Sequence, residues 1–354
     1  MIIGSIIVFS ASGTYSVYRY ANFYTMFKLH IGKEIIAIAV MLILSFVPYK
    51  YYKKYSKYAL VGVIILLVST LIFSAKVKGA ARWIDLGFIQ FQPSELAKLV
   101  LLVHLAGLIE KKGEYIKDFK KGFIYSLFWI FLIAFLVMAQ PKFGTAIIIV
   151  ITGFTLLYIS GAKIKHIFFT VFSVGVIASI IILIIPYSRE RVFTFVGSIL
   201  NGGEINDQVR QAKIGLGSGG FFGVGLGSSR QSDLFLPESY GDFIFSILGE
   251  ETGFFGAMIL LTLYLSIFTL GIIVAKKAET KFGQLLAFGL SLNIIVSAFI
   301  NIAVVVGILP TTGITLPFIS FGGTSIILFG ASAGIIINIG RETYKRKELR
   351  FAKG

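Results

Sequence analysis

FIFSILGEETGFFGAMILLTLYLSIFTLGIIVA, residues 243–275, runs for 33 residues with only two charges, Glu250 and Glu251. A helix rises about 1.5 Å per residue and a bilayer's hydrocarbon core is about 30 Å thick, so about 20 apolar residues suffice to cross it. This run is long enough to cross at a tilt, to kink, or to begin as an interfacial segment. Lys276 and Lys277 follow it directly. Working outward, further apolar runs of spanning character occupy 31–47, 59–74, 94–109, 122–138, 144–160, 167–185, 284–306 and 324–340. The opening stretch, 1–11, covers only about 16 Å as helix and reads as the outer half of a first span whose beginning precedes it. It lacks the basic n-region of a cleavable signal peptide.

Composition agrees with lipid as the main solvent. Of 354 residues 56% are hydrophobic and 14% charged, too few charges to coat a soluble domain of this length, and the mean hydropathy is +0.88. The formal charge of +16 does not point to nucleic acid, because the basic residues sit in short connections between apolar runs. Lys50, Lys53, Lys54 and Lys57 lie between the second and third spans, and Lys111, Lys112, Lys117, Lys120 and Lys121 between the fourth and fifth. Lys163 and Lys165, then Lys276, Lys277 and Lys281, mark two later connections, and Arg341, Lys345, Arg346, Lys347, Arg350 and Lys353 the tail. If ten spans alternate, all five groups fall on one side, which the positive-inside rule makes cytoplasmic. The expected fold is therefore an all-α integral membrane bundle of about ten transmembrane helices, one membrane domain over 1–354, with both termini cytoplasmic. Its extracytoplasmic stretches are 75–93, the long 187–241 between spans 7 and 8, and 307–323; the cytoplasmic tail is 341–354. There are no cysteines and only three histidines, so thiolate and histidine metal clusters are not expected.

The outer stretches hold the unusual residues. In AKVKGAARWIDLGFIQFQPSELAK, residues 75–98, Trp83 stands beside Arg82 and near Asp85. That suits an aromatic belt at the lipid–water interface, or a groove in which a head group or sugar rests. Pro93 suits a first helical turn, with Gln92 or Ser94 near the cap. Glu95 and Lys98, at i and i+3, then share one helix face, where ionisable groups must pair or face a wet cavity. GLGSGGFFGVGLG, residues 215–227, lacks the GK[ST] ending of a phosphate loop and is expected to be a flexible lid. In LPESYGDFIFSILGEETGFFG, residues 236–256, Glu238 and Asp242 stand at the mouth of a span. Asp242 suits a helix cap. It equally suits a general base, since desolvation raises a carboxylate's proton affinity and lets it take a proton from a sugar hydroxyl. Glu250 and Glu251, roughly two turns deeper, must pair or face the interior. GILPTTGITLPFISFGGTS, residues 307–325, is broken backbone in an apolar setting, and reads as a re-entrant turn lining a cavity. Arg189, Arg191, Arg210, Lys213 and Arg230 add outer positive charge; each alone reads by default as a solvated cation, and together they suit phosphate.

Taken in order, these motifs resemble the SEDS family (shape, elongation, division and sporulation), the FtsW/RodA/SpoVE proteins. The resemblance runs along essentially the whole chain and is strongest in ARWIDLGFIQFQPSELAK, GLGSSRQSDLFLPESYGDFIFSILGEETGFFG and LPTTGITLPFISFGGTS. It implies a peptidoglycan glycosyltransferase that polymerises lipid II in the bacterial cytoplasmic (inner) membrane. It further implies Asp242 as catalytic base, with Trp83, Glu95 and Lys98 at motif positions. Glu238, Arg210, Lys213 and Ser320 join them as candidate cavity or substrate-binding residues. The undecaprenyl pyrophosphate leaving group would be stabilised by outer basic residues or by a divalent cation, magnesium or manganese. The implied partners are lipid II and undecaprenyl-linked glycan, a class B penicillin-binding transpeptidase, and other division proteins. TTGITLPFIS resembles the division and sporulation branch more than the elongation branch.

The chain also departs from the pattern. Lys142 replaces the acid of a usual QPD-x-GT, Tyr240 and Gly241 replace the HT of HTDF, and Phe321 replaces the tyrosine of SYGG. Ser232 stands where a lysine is common. A lipid II flippase would need coupling groups through the membrane depth, whereas the charges outside the cytoplasmic loops cluster at the outer face. A non-catalytic division scaffold would not require Asp242, Trp83, Glu95 and Lys98, although a capping aspartate looks the same.

Overall fold

A computed structural model describes residues 1–73, 83–85, 90–184, 189, 193, 196–197 and 206–351. Most of the 75–93 stretch, the first part of 187–241, Arg82, Arg191, Lys353 and the side chains of Asp85, Arg346, Lys347 and Arg350 lie outside the described residues.

Among the described residues, ten long helices stand where ten spans are expected. They are α1 (Ile2–Tyr20), α2 (Thr25–Phe46), α3 (Tyr49–Phe73), α4 (Pro93–Lys112), α5 (Ile124–Ala139), α6 (Phe143–Ile159), α7 (Ile164–Ile184), α9 (Ile244–Lys277), α10 (Lys281–Val305) and α11 (Gly323–Phe351). The shorter α8 (Asp207–Ser218) lies in the long segment between α7 and α9, and the two-residue strands β1 (Ile84–Asp85) and β2 (Gln90–Phe91) pair antiparallel before α4. Among the described residues, six helical stretches are both long and apolar enough to cross a membrane by length and composition: α2, α3, 119–139, α9, α10 and 323–345. The chain is a multi-pass membrane protein.

Several boundaries differ from expectation. Helix α2 begins at Thr25, six residues before its apolar run, and α11 continues to Phe351 through most of the expected tail. The ends of α1 and α3 have identifiable physical reasons. Helix α1 continues to Tyr20, well beyond Ala11, because SGTYSVYRY remains helical and buries Ser12, Gly13 and Ser16. Its 19 residues reach about 28 Å, close to a full span. Helix α3 begins at Tyr49, ten residues before the apolar run, since the lysines and tyrosines of YKYYKKYSKY carry apolar stems with polar tips that suit a membrane interface.

The chain divides into two compact units interleaved along the sequence. The first comprises Met1–Gly32, Ile164–Leu263 and Ser297–Phe321; there α1 packs on the short turn Gln231–Phe235. The second comprises Lys33–Lys163, Tyr264–Val296 and Gly322–Gly354. Its α3 runs along α4 and its α5 along α6, burying Leu101, Leu102, Leu105, Ile130, Ile133 and Ile148 almost completely. In this unit GASAG, residues 330–334, puts two glycines one turn apart against α2. A Cβ at Gly330 or Gly334 would overlap the carbonyl of Ala37 or Met41. Small residues at that spacing let two helix backbones touch where lipid offers no hydrophobic drive to association.

Candidate functional site

In the first unit, the turn that precedes α9 carries Glu238 and Asp242. Its backbone is closed by Gly241 and Phe243, whose N–H groups donate to the Glu238 carbonyl at 2.9 and 3.3 Å. Glu238 holds a left-handed φ of 61°, and Phe318, in the facing stretch, one of 63°. Such conformations cost non-glycine residues about 1–3 kcal/mol each and persist only where the surroundings over-determine them.

Those surroundings are the broken backbone of 307–321. Asn301, near the end of α10, donates its amide Nδ2 to the carbonyls of both Asp242 and Ile314, each at 2.7 Å. Ser320 Oγ donates to the Gly241 carbonyl at 2.8 Å and accepts from the Leu316 N–H at 2.8 Å. The Phe321 N–H donates to the Tyr240 carbonyl at 2.9 Å. A Cβ on Gly313 would stand 3.5 Å from Asp242 Oδ2, and one on Gly241 would stand 3.4 Å from Glu238 Oε2, so both carboxylates lie against glycine backbone. Broken backbone here is paired with side chains and with other loop backbone, as buried main-chain polar groups require.

An aromatic row backs the turn. Tyr15 of α1 meets Tyr240 at 5.0 Å between ring centroids, Tyr240 meets Phe321 edge-on at 5.8 Å, and Phe321 meets His30 at 5.7 Å. Burial, reinforced by the nearby Glu238 carboxylate, pushes the Tyr240 phenol up, so it keeps its proton throughout the physiological range. Of the basic residues between α7 and α9, Arg210 is exposed and paired with Asp207 at 2.8 Å on the same face of α8. The Lys213 amine lies against Gly307, at the start of the broken stretch.

Glu250 and Glu251 follow two turns into α9, and both side chains are buried. Glu250 accepts from Ser229 Oγ at 2.5 Å, from the Arg230 and Gln231 N–H groups at 3.1 and 3.3 Å, and from Ser218 Oγ at 3.4 Å. Glu251 accepts from Ser10 Oγ and from the Gly227 N–H at 3.1 Å. The glycine-rich stretch read as a flexible lid is in fact fastened to α9. Val224 and Gly225 donate to the carbonyls of Glu250 and Glu251, while Phe254 and Phe255 donate to those of Gly220 and Phe221.

The second unit holds the other sequence-selected residues. Glu95 and Lys98 form a buried ion pair at 2.9 Å, with Lys98 Nζ 5.3 Å from the Phe329 ring centroid. The pair borders a small cavity with Asn293, Ser325 and Ser332. Gln92 occupies the cap position of α4 without a side-chain cap; its N–H donates to Thr324 Oγ1, which donates in turn to the Gln90 carbonyl. Trp83 lies under the Lys142 amine, 5.9 Å from ring centroid to Nζ. The lysine that replaces the family's acid thus meets an aromatic face, an attraction that a carboxylate would lack. Asp242, Glu238, Ser320, Arg210 and Lys213 therefore belong to one unit, and Trp83, Glu95 and Lys98 to the other. Asn301, Gly313 and Tyr15 were missed from sequence. Asn301 alone carried a signal, as an amide deep in an apolar run.

The fold and this site define a multi-pass membrane protein with an acidic turn locked by loop backbone at the start of a long span. Residues 1–345 match the model of the FtsW/RodA/SpoVE cell cycle proteins, and the chain belongs to that family. A probable peptidoglycan glycosyltransferase FtsW from Geobacter sp. (strain M18) is 33% identical, over 95% of this chain and 92% of its own length. Stage V sporulation protein E of Bacillus subtilis (strain 168) is 34% identical, over 96% and 93%. Among solved structures, a chain of a peptidoglycan synthase complex superposes with a TM-score of 0.78 at 23% identity, covering 96% of this chain and 97% of that one. The rod shape determining protein RodA of Thermus thermophilus superposes with a TM-score of 0.69 at 23% identity, over 96% and 95%. Both share this fold.

Proposed function

We propose that this chain is a peptidoglycan glycosyltransferase that polymerises lipid II on the outer face of the bacterial cytoplasmic membrane, in cell division or sporulation. Family membership and the FtsW and SpoVE relatives support the reaction class. The observation that carries the site is Asp242, a part-exposed carboxylate on a turn whose backbone Asn301 and Ser320 hold from two sides.

In this reading Asp242 accepts the proton of the acceptor sugar's 4-hydroxyl as that oxygen bonds to the donor's anomeric carbon. The bond from that carbon to the pyrophosphate oxygen breaks, undecaprenyl pyrophosphate leaves, and the Asp242 proton passes to water. A fixed turn matters because a base must lie within hydrogen-bond reach of the proton it removes. Lys213 and Arg210 supply positive charge for the leaving pyrophosphate. Trp83, Glu95 and Lys98 are assigned to substrate positioning.

A divalent cation, magnesium or manganese, would supply further charge for the pyrophosphate. Among the described residues no three His, Cys, Asp or Glu side chains gather into a metal site. Glu238 and Asp242 do offer the hard oxygen donors that magnesium takes when substrate phosphates complete its shell. The partner proposed is a class B penicillin-binding transpeptidase, in line with the synthase complex that shares the fold.

The test is polymerisation of labelled lipid II by purified protein, alone and with its cognate transpeptidase, for wild type and Asp242→Asn. Glycan strands from wild type and a loss of about 10²–10⁴-fold in a well-folded Asp242→Asn are expected. Absence of strands from wild type with the transpeptidase present would overturn the assignment in favour of a lipid II flippase or a division scaffold.

A further inference from the structure

The long span α9 is two helices joined at Gly253, where φ is 67° and ψ is −167°. The part before the kink, 244–252, contains Ser246, Glu250, Glu251 and Thr252. The part after it, 254–277, has no charge until Lys276 and Lys277 at its far end. Those 24 residues rise about 36 Å, enough to cross a core of about 30 Å unaided. Gly253 therefore lies within about four residues of the outer edge of the hydrocarbon, and Phe254 and Phe255 stand in that interface. Both are exposed, as are Met258 and Ile259 one turn on.

The glycine-rich segment 219–227 is fixed at this level. Its carbonyls at Gly220 and Phe221 accept from Phe254 and Phe255 at 2.9 and 3.1 Å, and the Phe221 ring packs edge-on against Phe254 with centroids 6.1 Å apart. The segment reads GGFFGVGLG, and every side chain in it is apolar. Phe221 is 74% exposed, Phe222 86% and Leu226 60%. Backbone contact with α9 and the Glu251 carboxylate, which accepts from the Gly227 N–H, hold the segment, so these rings project from an anchored base.

From these observations we infer that segment 219–227 is a lip inserted into the outer leaflet, with Phe221, Phe222 and Leu226 among lipid chains. Three features choose lipid over a protein. The patch continues the exposed apolar face of α9, it sits at the hydrocarbon edge, and it offers no charged or hydrogen-bonding side chain to specify a partner. In water, such a patch would drive association. Among lipid chains it has its natural solvent, and aromatic rings suit the interface.

The chain has no cysteine, so single labels are clean. Phe222→Cys, Met258→Cys and Arg230→Cys would each carry a nitroxide in liposome-reconstituted, full-length protein. Power-saturation measurements would compare collision with oxygen, which concentrates in lipid, and with a water-soluble nickel chelate. The label at 222 is expected to match 258, with an oxygen-to-nickel ratio several-fold above that at 230. A ratio at 222 equal to that at 230 would place the lip in water and overturn the inference. Shielding of 222 from both reagents would also overturn it, by revealing a protein surface over the lip. Because Phe222 is almost fully exposed, its replacement leaves the fold intact, and a Tm of labelled Phe222→Cys equal to that of wild type verifies this.

Discussion

At the scale of single residues, the site depends on few groups that face polar backbone in an apolar setting. Asn301 serves two carbonyls with one amide nitrogen, so its loss leaves two acceptors unpaired together. Asn301→Ala is expected to cost about 1–3 kcal/mol per abandoned acceptor, seen as a lower Tm in detergent. Asn301→Asp should be worse, since it turns an oxygen towards two oxygens. Ser320→Ala leaves both the Gly241 carbonyl and the Leu316 N–H unpaired and should likewise cost about 1–3 kcal/mol for each. Both should lower the polymerisation rate by more than the folded fraction, because the turn they hold carries the base. The Glu95–Lys98 pair allows a different test. Removing one partner, as in Lys98→Met, leaves a buried charge and should destabilise by about 3–5 kcal/mol, whereas Glu95→Leu with Lys98→Met should be near neutral for stability. A double variant that melts like wild type and still polymerises would show that the pair is structural. One that melts normally but is inactive would assign it to the reaction.

At the scale of elements, α9 is the part whose geometry a hydropathy reading leaves open. The 33-residue run 243–275 allows a tilt, a kink or an interfacial start, and the structure takes the kink at Gly253. Two constraints impose it: φ and ψ there lie in a region that only glycine enters cheaply, and a Cβ would overlap the backbone of Phe221 and Gly223. Gly253→Ala is therefore expected to lower Tm and to release segment 219–227. Hydrogen exchange should show that release as faster exchange at Val224 and Gly225, whose N–H groups pair with α9 carbonyls. Unchanged exchange there would show that the kink is not what seats the segment. The pairing of 219–227 with α9 replaces the flexible lid expected from sequence. Dense glycine signals flexibility when nothing else is known, but here the glycines admit close backbone contact.

At the scale of the whole molecule, orientation rests on charge. All five basic groups sit at alternate connections, so a cysteine at Lys54 or Lys345 should react with a membrane-impermeant maleimide only after cells are permeabilised. A cysteine at Ser228 should react in intact cells. Labelling at Lys54 and Ser228 from the same side would overturn the topology. Much of the architecture needs only the chain's composition and spacing, because a bilayer demands that backbone polar groups be met internally. Apolar length then counts the spans, lysine placement orients them, and the outer motifs single out Asp242, Glu238, Glu95 and Lys98. Three-dimensional packing had to supply the rest. The ends of α1 and α3 depend on half-polar residues that are helical or not according to their neighbours. The grip of Asn301 on Asp242 joins positions 59 residues apart. The seat of the glycine-rich segment depends on hydrogen bonds between distant backbones, and backbone groups are the same in every residue. A pattern of side chains records solvent preference along one dimension, whereas these contacts are set only when the chain has folded in three.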